Sequence, residues 1–303
     1  MFYKIYILLL LVMATLYAEP ITPLVNIITN NNKVTLGKEL FFDTLLSIDN
    51  SISCASCHDL ANGGDDGHRF AFGVKGQEGD INSPTVYNAV YNFRQFWDGR
   101  ARDLEEQAVG PVENPIEMGH KFSNLVKILN RTPYKQKFEE IYADGITKQN
   151  IANAIAEFEK TLITLNAPFD KYLKGDKNAI NQDAKDGYNL FKQKGCIACH
   201  HGINVGGNLY NKFGVMKIID SKRLGRFEVT KKQRDKLYFK VPTLRNIEKT
   251  APYLHDGRYD KLEDTVKFMA RYQLGRILSE KEIKNIVSFL KSLSGEIPQS
   301  AKR

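Results

Sequence analysis

The chain has 303 residues, 42% of them hydrophobic and 26% charged, with a formal net charge of +8 and four cysteines. This is an ordinary globular composition, which excludes a fibrous or low-complexity chain, and the length allows two compact domains, each with its own core. The positive balance favours acidic partners or surfaces without naming one.

The chain opens with Lys4, an apolar run from Ile5 to Leu16 and a small residue at Ala18. That is the pattern of a secretory signal peptide over 1–18, with a mature chain starting at Glu19. The run is shorter than the ~20 residues that cross a bilayer, so a retained anchor is the weaker reading and no stable membrane insertion is expected. Removing Lys4 leaves 42 basic against 35 acidic residues, a mature charge of +7.

Further along, Cys54-Ala55-Ser56-Cys57-His58 and Cys196-Ile197-Ala198-Cys199-His200 use every cysteine in the chain. A Cys-x-x-Cys pair also serves redox centres, zinc sites and disulfides. A histidine directly after the second cysteine, twice, favours covalent c-type haem: two thiols form thioethers to the haem edge and the histidine ligates iron. Such attachment takes place outside the bacterial cytoplasm, so the leader and the motifs together imply a periplasmic protein, for which nucleic acid is not an expected partner.

The chain also repeats itself. Gly37-Lys38-Glu39-Leu40-Phe41 leads into the first motif and Gly187-Tyr188-Asn189-Leu190-Phe191 into the second. Pro84-Thr85, Asn88, Asp98-Gly99-Arg100 and Leu104-Glu105 recur in register as Pro242-Thr243, Asn246, Asp256-Gly257-Arg258 and Leu262-Glu263. A duplicated single-haem domain predicts a mainly α fold of two cytochrome c-like domains. The boundaries are expected at 19–166 and 167–303, with a C-terminal tail able to pack on the first domain.

Ile151, Ala154, Ile155, Phe158, Leu162 and Leu165 form one apolar helical face, and Ile283, Ile286, Val287 and Leu290 another. Ser279 and Glu282 look like a capping box for the latter. Glycines and charges dominate 59–84 and 201–242, predicting loops packed around porphyrin and little sheet.

The halves diverge where each should supply a second axial ligand. Met269, thirteen residues after Asp256, offers a thioether that would favour ferrous iron; Met216 competes from a lysine-rich loop. The corresponding stretch of the first half runs from Gly110 to Met118 and is rich in carboxylate and proline. There Glu117 would move protons between the two oxygens of peroxide, while Met118 is the simple-ligand alternative.

At these residues the chain resembles the bacterial dihaem cytochrome c peroxidases over essentially its whole mature length. The motifs carrying the resemblance are Leu36-Gly37-Lys38-x-Leu40-Phe41-Phe42-Asp43, Asn82-Ser83-Pro84-Thr85-Val86, Phe96-Trp97-Asp98-Gly99-Arg100, Glu105-Glu106-Gln107-Ala108, Glu117-Met118, Val241-Pro242-Thr243-Leu244-Arg245-Asn246 and Ala251-Pro252-Tyr253-Leu254-His255-Asp256-Gly257.

The resemblance implies two haem c groups, one on Cys54, Cys57 and His58 that reduces hydrogen peroxide, and one on Cys196, Cys199 and His200 that feeds it electrons. It makes His58 and His200 proximal iron ligands and Met269 the distal ligand of the second haem. Glu117 and Gln107 become the polar pair on the peroxide side, and Trp97 the tryptophan between the haems. A calcium ion would bind the Asn82 side chain and the carbonyls of Thr250 and Pro252, hard oxygen donors that suit it. A small c-type cytochrome or similar carrier would be the donor, and a homodimer is possible.

One position departs from the family pattern. Where many members carry a histidine that blocks the peroxidatic iron until the second haem is reduced, this chain has Val74, which cannot ligate. His68 lies six residues earlier. The expectation is a first iron that is open even when oxidised, with His68 a solvated loop residue. His201 and His120 are expected in surface or loop roles, and His255 beside the second haem. The basic stretch from Asn211 to Lys240 is expected to be a solvated face, or else a docking surface for an acidic donor. A dihaem electron carrier with two six-coordinate irons, and a dihaem oxidase of a protein substrate with tyrosine in place of Met269, are the alternatives to a peroxidase.

Overall fold

A computed structural model describes residues 19–302; the leader expected over 1–18 lies outside the described residues. The fold is mainly helical. The helices are α1 (Asn31–Phe42), α2 (Cys54–Cys57), α3 (Leu104–Glu113), α4 (Phe122–Leu129), α5 (Tyr134–Ile141), α6 (Lys148–Glu159), α7 (Pro168–Leu173), α8 (Gln182–Lys194), α9 (Arg226–Thr230), α10 (Leu262–Gln273) and α11 (Glu280–Lys291). Strands β1 (Tyr210–Lys212) and β2 (Tyr238–Lys240) pair antiparallel, Tyr210 opposite Lys240. No described helix is long and apolar enough to cross a membrane.

The duplication is visible in the packing. In the first half α1 crosses α6 so closely that a Cβ on Gly37 would run into the carbonyl of Ala154, beside Phe158; in the second half α8 crosses α11 with Gly187 against the carbonyl of Asn285, beside Phe289. Each crossing needs glycine because the two helix backbones touch there. One core forms around Leu40, Phe41, Leu125, Phe138, Ile151 and Phe158, and a second around Phe169, Tyr188, Ile283, Ile286 and Phe289.

The chain ends cross between these cores. Ile21 is buried in the second core, and Ala301 packs into the first. Gly202 N–H donates to the Pro20 carbonyl and Ser300 Oγ to the Thr161 carbonyl. Arg245, fully buried, makes a twin bond of 3.0 Å to both Asp170 oxygens and also donates to the carbonyls of Thr22 and Ile203, so a buried charge pair has every strong partner supplied.

The expected capping box at Ser279 and Glu282 is present on α11. The apolar face around Ile151 is α6, but the helix stops at Glu159, so Leu162 and Leu165 continue it in extended chain rather than on the helix. The 201–242 loops also contain the short α9 and the β1–β2 pair. His120 lies in the loop between α3 and α4 as expected of a loop residue, but it is buried rather than at the surface: its N–H donates to the Val112 carbonyl at 2.7 Å, which draws the chain inward behind α3.

Candidate functional site

Each Cys-x-x-Cys-His motif is wound into a single turn. In the first, Ser53 and Ser56 form a capping box, α2 follows, and the His58 N–H donates to the Cys54 carbonyl at 3.1 Å. In the second the turn is 3-10 and the His200 N–H donates to the Cys196 carbonyl, also at 3.1 Å. One turn sets the two thiols on one side and swings the histidine beneath. Phe41 lies 6.5 Å from the His58 ring and Phe191 6.4 Å from the His200 ring, the same support used twice.

The four thiols are unpaired with one another. Burial pushes Cys54 up strongly, Cys57 up to about 12 and Cys196 up to about 11. A reactive redox pair needs a depressed thiol pKa, and burial drives Cys54, Cys57 and Cys196 the other way.

The histidines are likewise held neutral. Burial lowers His58, and lowers His200 to about 4. His58 Nδ1–H donates to the Gly64 carbonyl at 3.1 Å, which assigns the proton to Nδ1 and leaves the Nε2 lone pair free to bind iron. His200 Nδ1 is buried with no hydrogen-bond partner.

Two cavities face these motifs. The first, about 1270 Å³ with its open mouth, is lined by Cys54, Cys57 and His58 on one side and by Gln107, Glu117 and Met118 on the other. The second, about 1150 Å³, is lined by Cys196, His200 and Met269, and an adjoining cavity of about 700 Å³ adds Cys199 and His255. Neutral thiols, a neutral imidazole and a large, mostly apolar cavity at each motif fit a covalently held haem.

Within the first cavity the Glu117 carboxyl accepts from Asn114 Nδ2 at 2.7 Å through Oε1. Burial raises its pKa, against the opposing pull of Asn114 and Arg100. The Val74 N–H donates to the Glu117 carbonyl at 2.8 Å, and Gly73 packs so tightly on Ile116 that a side chain there would strike its carbonyl. Val74 is buried, whereas His68 is exposed, outside the cavity lining, with its ring edge-on to Phe72.

Pro84 and Pro242 lie 158 residues apart, and the same offset sets Pro111 where Met269 stands in the second half. Both line their cavities. Proline offers iron no side-chain donor, so the duplication leaves the Met269 position without a ligand in the first half. Met216 is largely exposed and lines none of the three cavities, which leaves Met269 as the methionine facing the second motif.

Between the cavities stands Trp97, which lines all three. Its Nε1–H donates to the Asn82 carbonyl at 2.9 Å. His255 lies against it, stacked on Phe239 at 4.3 Å and bonded through Nε2 to Ser221 Oγ at 2.9 Å; burial holds its pKa down to about 4. Asn82, Thr250 and Pro252 all line the second cavity, and Asn82 Nδ2 is committed to the His68 carbonyl at 3.0 Å, leaving Oδ1 as the donor oxygen.

Two buried ionisable cavity residues were not singled out from sequence. Glu159, at the end of α6, lines the first cavity, and Lys240, at the end of β2, lines the second. Both are nearly fully buried. A charged residue inside an otherwise apolar pattern, Phe158-Glu159 and Phe239-Lys240-Val241, was the available signal.

Comparison with known proteins bears on the whole arrangement. Residues 31–178 match the family model for di-haem cytochrome c peroxidase, and residues 184–294 the model for cytochrome c. A cytochrome c551 peroxidase of Nitrosomonas europaea is 48% identical over 285 residues, covering 92% of this chain and 85% of that protein. This chain belongs to the dihaem cytochrome c peroxidase family. The cytochrome c551 peroxidase of Pseudomonas aeruginosa is 45% identical over 274 residues, 87% of this chain and 79% of that protein. The cytochrome c peroxidase of Escherichia coli is 48% identical over 285 residues, 91% of this chain but 61% of the longer relative. Among solved structures, a MauG-like protein associated with microbial copper homeostasis superposes with a TM-score of 0.79 at 23% identity, over 92% of this chain and 95% of that one, a likeness of fold. The family implies haem c as cofactor, and its relatives at 45–48% identity to this chain are named cytochrome c peroxidases.

Proposed function

We propose that the chain is a periplasmic peroxidase that takes electrons singly from a small c-type cytochrome or similar carrier and reduces hydrogen peroxide with two protons and two electrons to two waters. The observation that carries this reading is a pair of cavities, each facing a Cys-x-x-Cys-His turn, with Trp97 in the wall of both. Cys54, Cys57 and His58 hold the first haem in a domain over 19–166; Cys196, Cys199, His200 and Met269 hold the second in a domain over 167–303. When bound, the haem irons supply the electrons and the place where peroxide coordinates.

The protein's own groups then handle position and protons. Glu117 Oε1 is occupied by Asn114, so Oε2 is the atom that takes a proton from the near oxygen of peroxide and returns it to the departing one. Gln107, in the same wall, orients the peroxide. Asn82 Oδ1 and the carbonyls of Thr250 and Pro252 hold a calcium ion with several waters. Val215, Met216 and Ile218 are exposed apolar residues among the lysines and arginines that follow Asn211, a surface suited to an acidic donor. A homodimer is compatible with this arrangement.

Stopped-flow mixing of the fully oxidised and the half-reduced protein with peroxide tests the reading, with the ferric spin state recorded first. Because Val74 cannot ligate and His68 is exposed outside the cavity lining, both forms are expected to react rapidly. Reaction only after half-reduction would mean a gating ligand, and no reaction in either form would leave an electron carrier.

A further inference from the structure

The two cavities have acquired different unpaired ionisable residues. Glu159 lines the first, where the matching place in the second half, one residue after Phe289, is Leu290. Lys240 lines the second and its neighbour, where the offset of 158 residues gives neutral Asn82 in the first half. The backbone places correspond: Asn82 N–H donates to the His255 carbonyl at 2.9 Å and Lys240 N–H to the Trp97 carbonyl at 2.8 Å. Lys240 therefore sits where the chain crosses between the haem sites.

Its ammonium group has no carboxylate to answer it. Among the described residues no Asp or Glu lines the second cavity or its neighbour. The other lysine there, Lys194, is paired with Glu282 at 2.5 Å. His255 in the adjoining wall is neutral, with its pKa down at about 4. Lys240 is only 6% exposed, no ion pair to it is formed among the described residues, and burial pushes it down to about 8. A buried, unpaired cation is costly unless an anion arrives. Haem carries two carboxylates, and among the described residues lining the cavity that must take them Lys240 is the lysine without an ion pair.

We infer that Lys240 meets a haem carboxylate in the second cavity and, as a fixed positive charge there, strengthens the hold of that site's iron on an electron. The inference rests on the second motif holding haem, as proposed above. Nearby positive charge disfavours the ferric more than the ferrous state, so Lys240 is a positioning and tuning residue for the electron-supplying site. The first cavity is lined instead by Glu159, Glu117 and an Arg100 already paired with Asp98 and, among the described residues, by no lysine.

The experiment is spectroelectrochemical titration of wild type, Lys240→Gln and Lys240→Arg, with haem counted per chain by pyridine haemochrome and the ferrous spectrum of the second haem recorded. The expected result in Lys240→Gln is a fall of about tenfold in the ferrous-to-ferric ratio of the second haem at a fixed applied potential, ~59 mV for one electron. The first haem should be unmoved and Lys240→Arg close to wild type. An unshifted second haem in Lys240→Gln overturns the inference. If Lys240→Gln fails to load the second haem while Lys240→Arg loads it, the cation is required and the inference stands; if neither loads it, the stem is needed for packing and the charge role falls. Fewer than two haems in the wild type would instead sink the underlying reading.

Discussion

Trp97 and His255 hold equivalent places in the two halves, 158 residues apart, and their rings meet edge to face at 6.1 Å. The contact closes the duplication on itself: each residue's carbonyl accepts from the other half, Trp97 from Lys240 and His255 from Asn82. A single aromatic junction thereby joins the walls of both cavities. The chain's one tryptophan is pinned there by its Nε1–H bond to the Asn82 carbonyl.

Trp97→Phe keeps an aromatic ring but drops that bond, costing about 0.5–1.5 kcal/mol of stability. Both haems should still load. Electron passage from the second site to the first is expected to slow by about tenfold, the effect of ~1.4 kcal/mol on a barrier. The check is the rate at which the first haem regains an electron after the half-reduced protein meets peroxide. An unchanged rate would make Trp97 a packing residue only.

Glu117→Gln retains the size and the Asn114 contact but removes the proton. Turnover is expected to fall by about 10²- to 10⁴-fold, the usual contribution of general acid-base catalysis, with two haems per chain and an unchanged fold. Steady-state peroxide consumption measures it; full activity would take Glu117 out of the mechanism.

The haem motifs and the repeat were legible because covalent attachment and backbone contact demand fixed residues at fixed spacing. Gly37 and Gly187 recur because helices touch there, and Asn88 and Asn246 because both adopt left-handed backbone, with φ of 60° and 61°. What the halves do to each other was not legible. Ile21 filling the second core and the Asn82 and Lys240 cross-bonds depend on contacts between residues far apart in sequence. Glu159 and Lys240 leave only a faint signal, one ionisable residue inside an apolar run, because their burial comes from the cavities. His120 lies in a loop, as expected, but its burial comes from the bond of its backbone N–H to the Val112 carbonyl, which no local pattern announces.

Thr164 is the pivot of the repeat. Its hydroxyl accepts from Asn88 Nδ2 at 2.8 Å and from Asn246 Nδ2 at 2.9 Å, and all three residues are buried. Thr164→Val keeps the shape and strands both amides. Each unsatisfied buried donor costs about 1–3 kcal/mol, and since the two share one partner their losses need not add in full. A fall in unfolding free energy of about 2–4 kcal/mol is expected by urea titration, with Thr164→Ser recovering most of it. A midpoint within error of wild type would show that the shared hydroxyl does not tie the halves together.

Glu159 predicts a pH dependence with a definite sign. Burial raises its pKa from the ordinary 4.5 to about 8, so between these values the folded chain keeps a proton that the unfolded chain releases. Its favourable contribution is therefore complete below about pH 4.5, declines by up to about 1.4 kcal/mol per pH unit, and is gone above about 8. Glutamine stays neutral throughout. Glu159→Gln should match wild type near pH 4.5 and exceed it increasingly towards pH 8, most visibly in urea midpoints taken at successive pH values. Parallel profiles for the two proteins would mean that Glu159 is ionised in the fold, and that a cation, haem iron included, balances it in the first cavity.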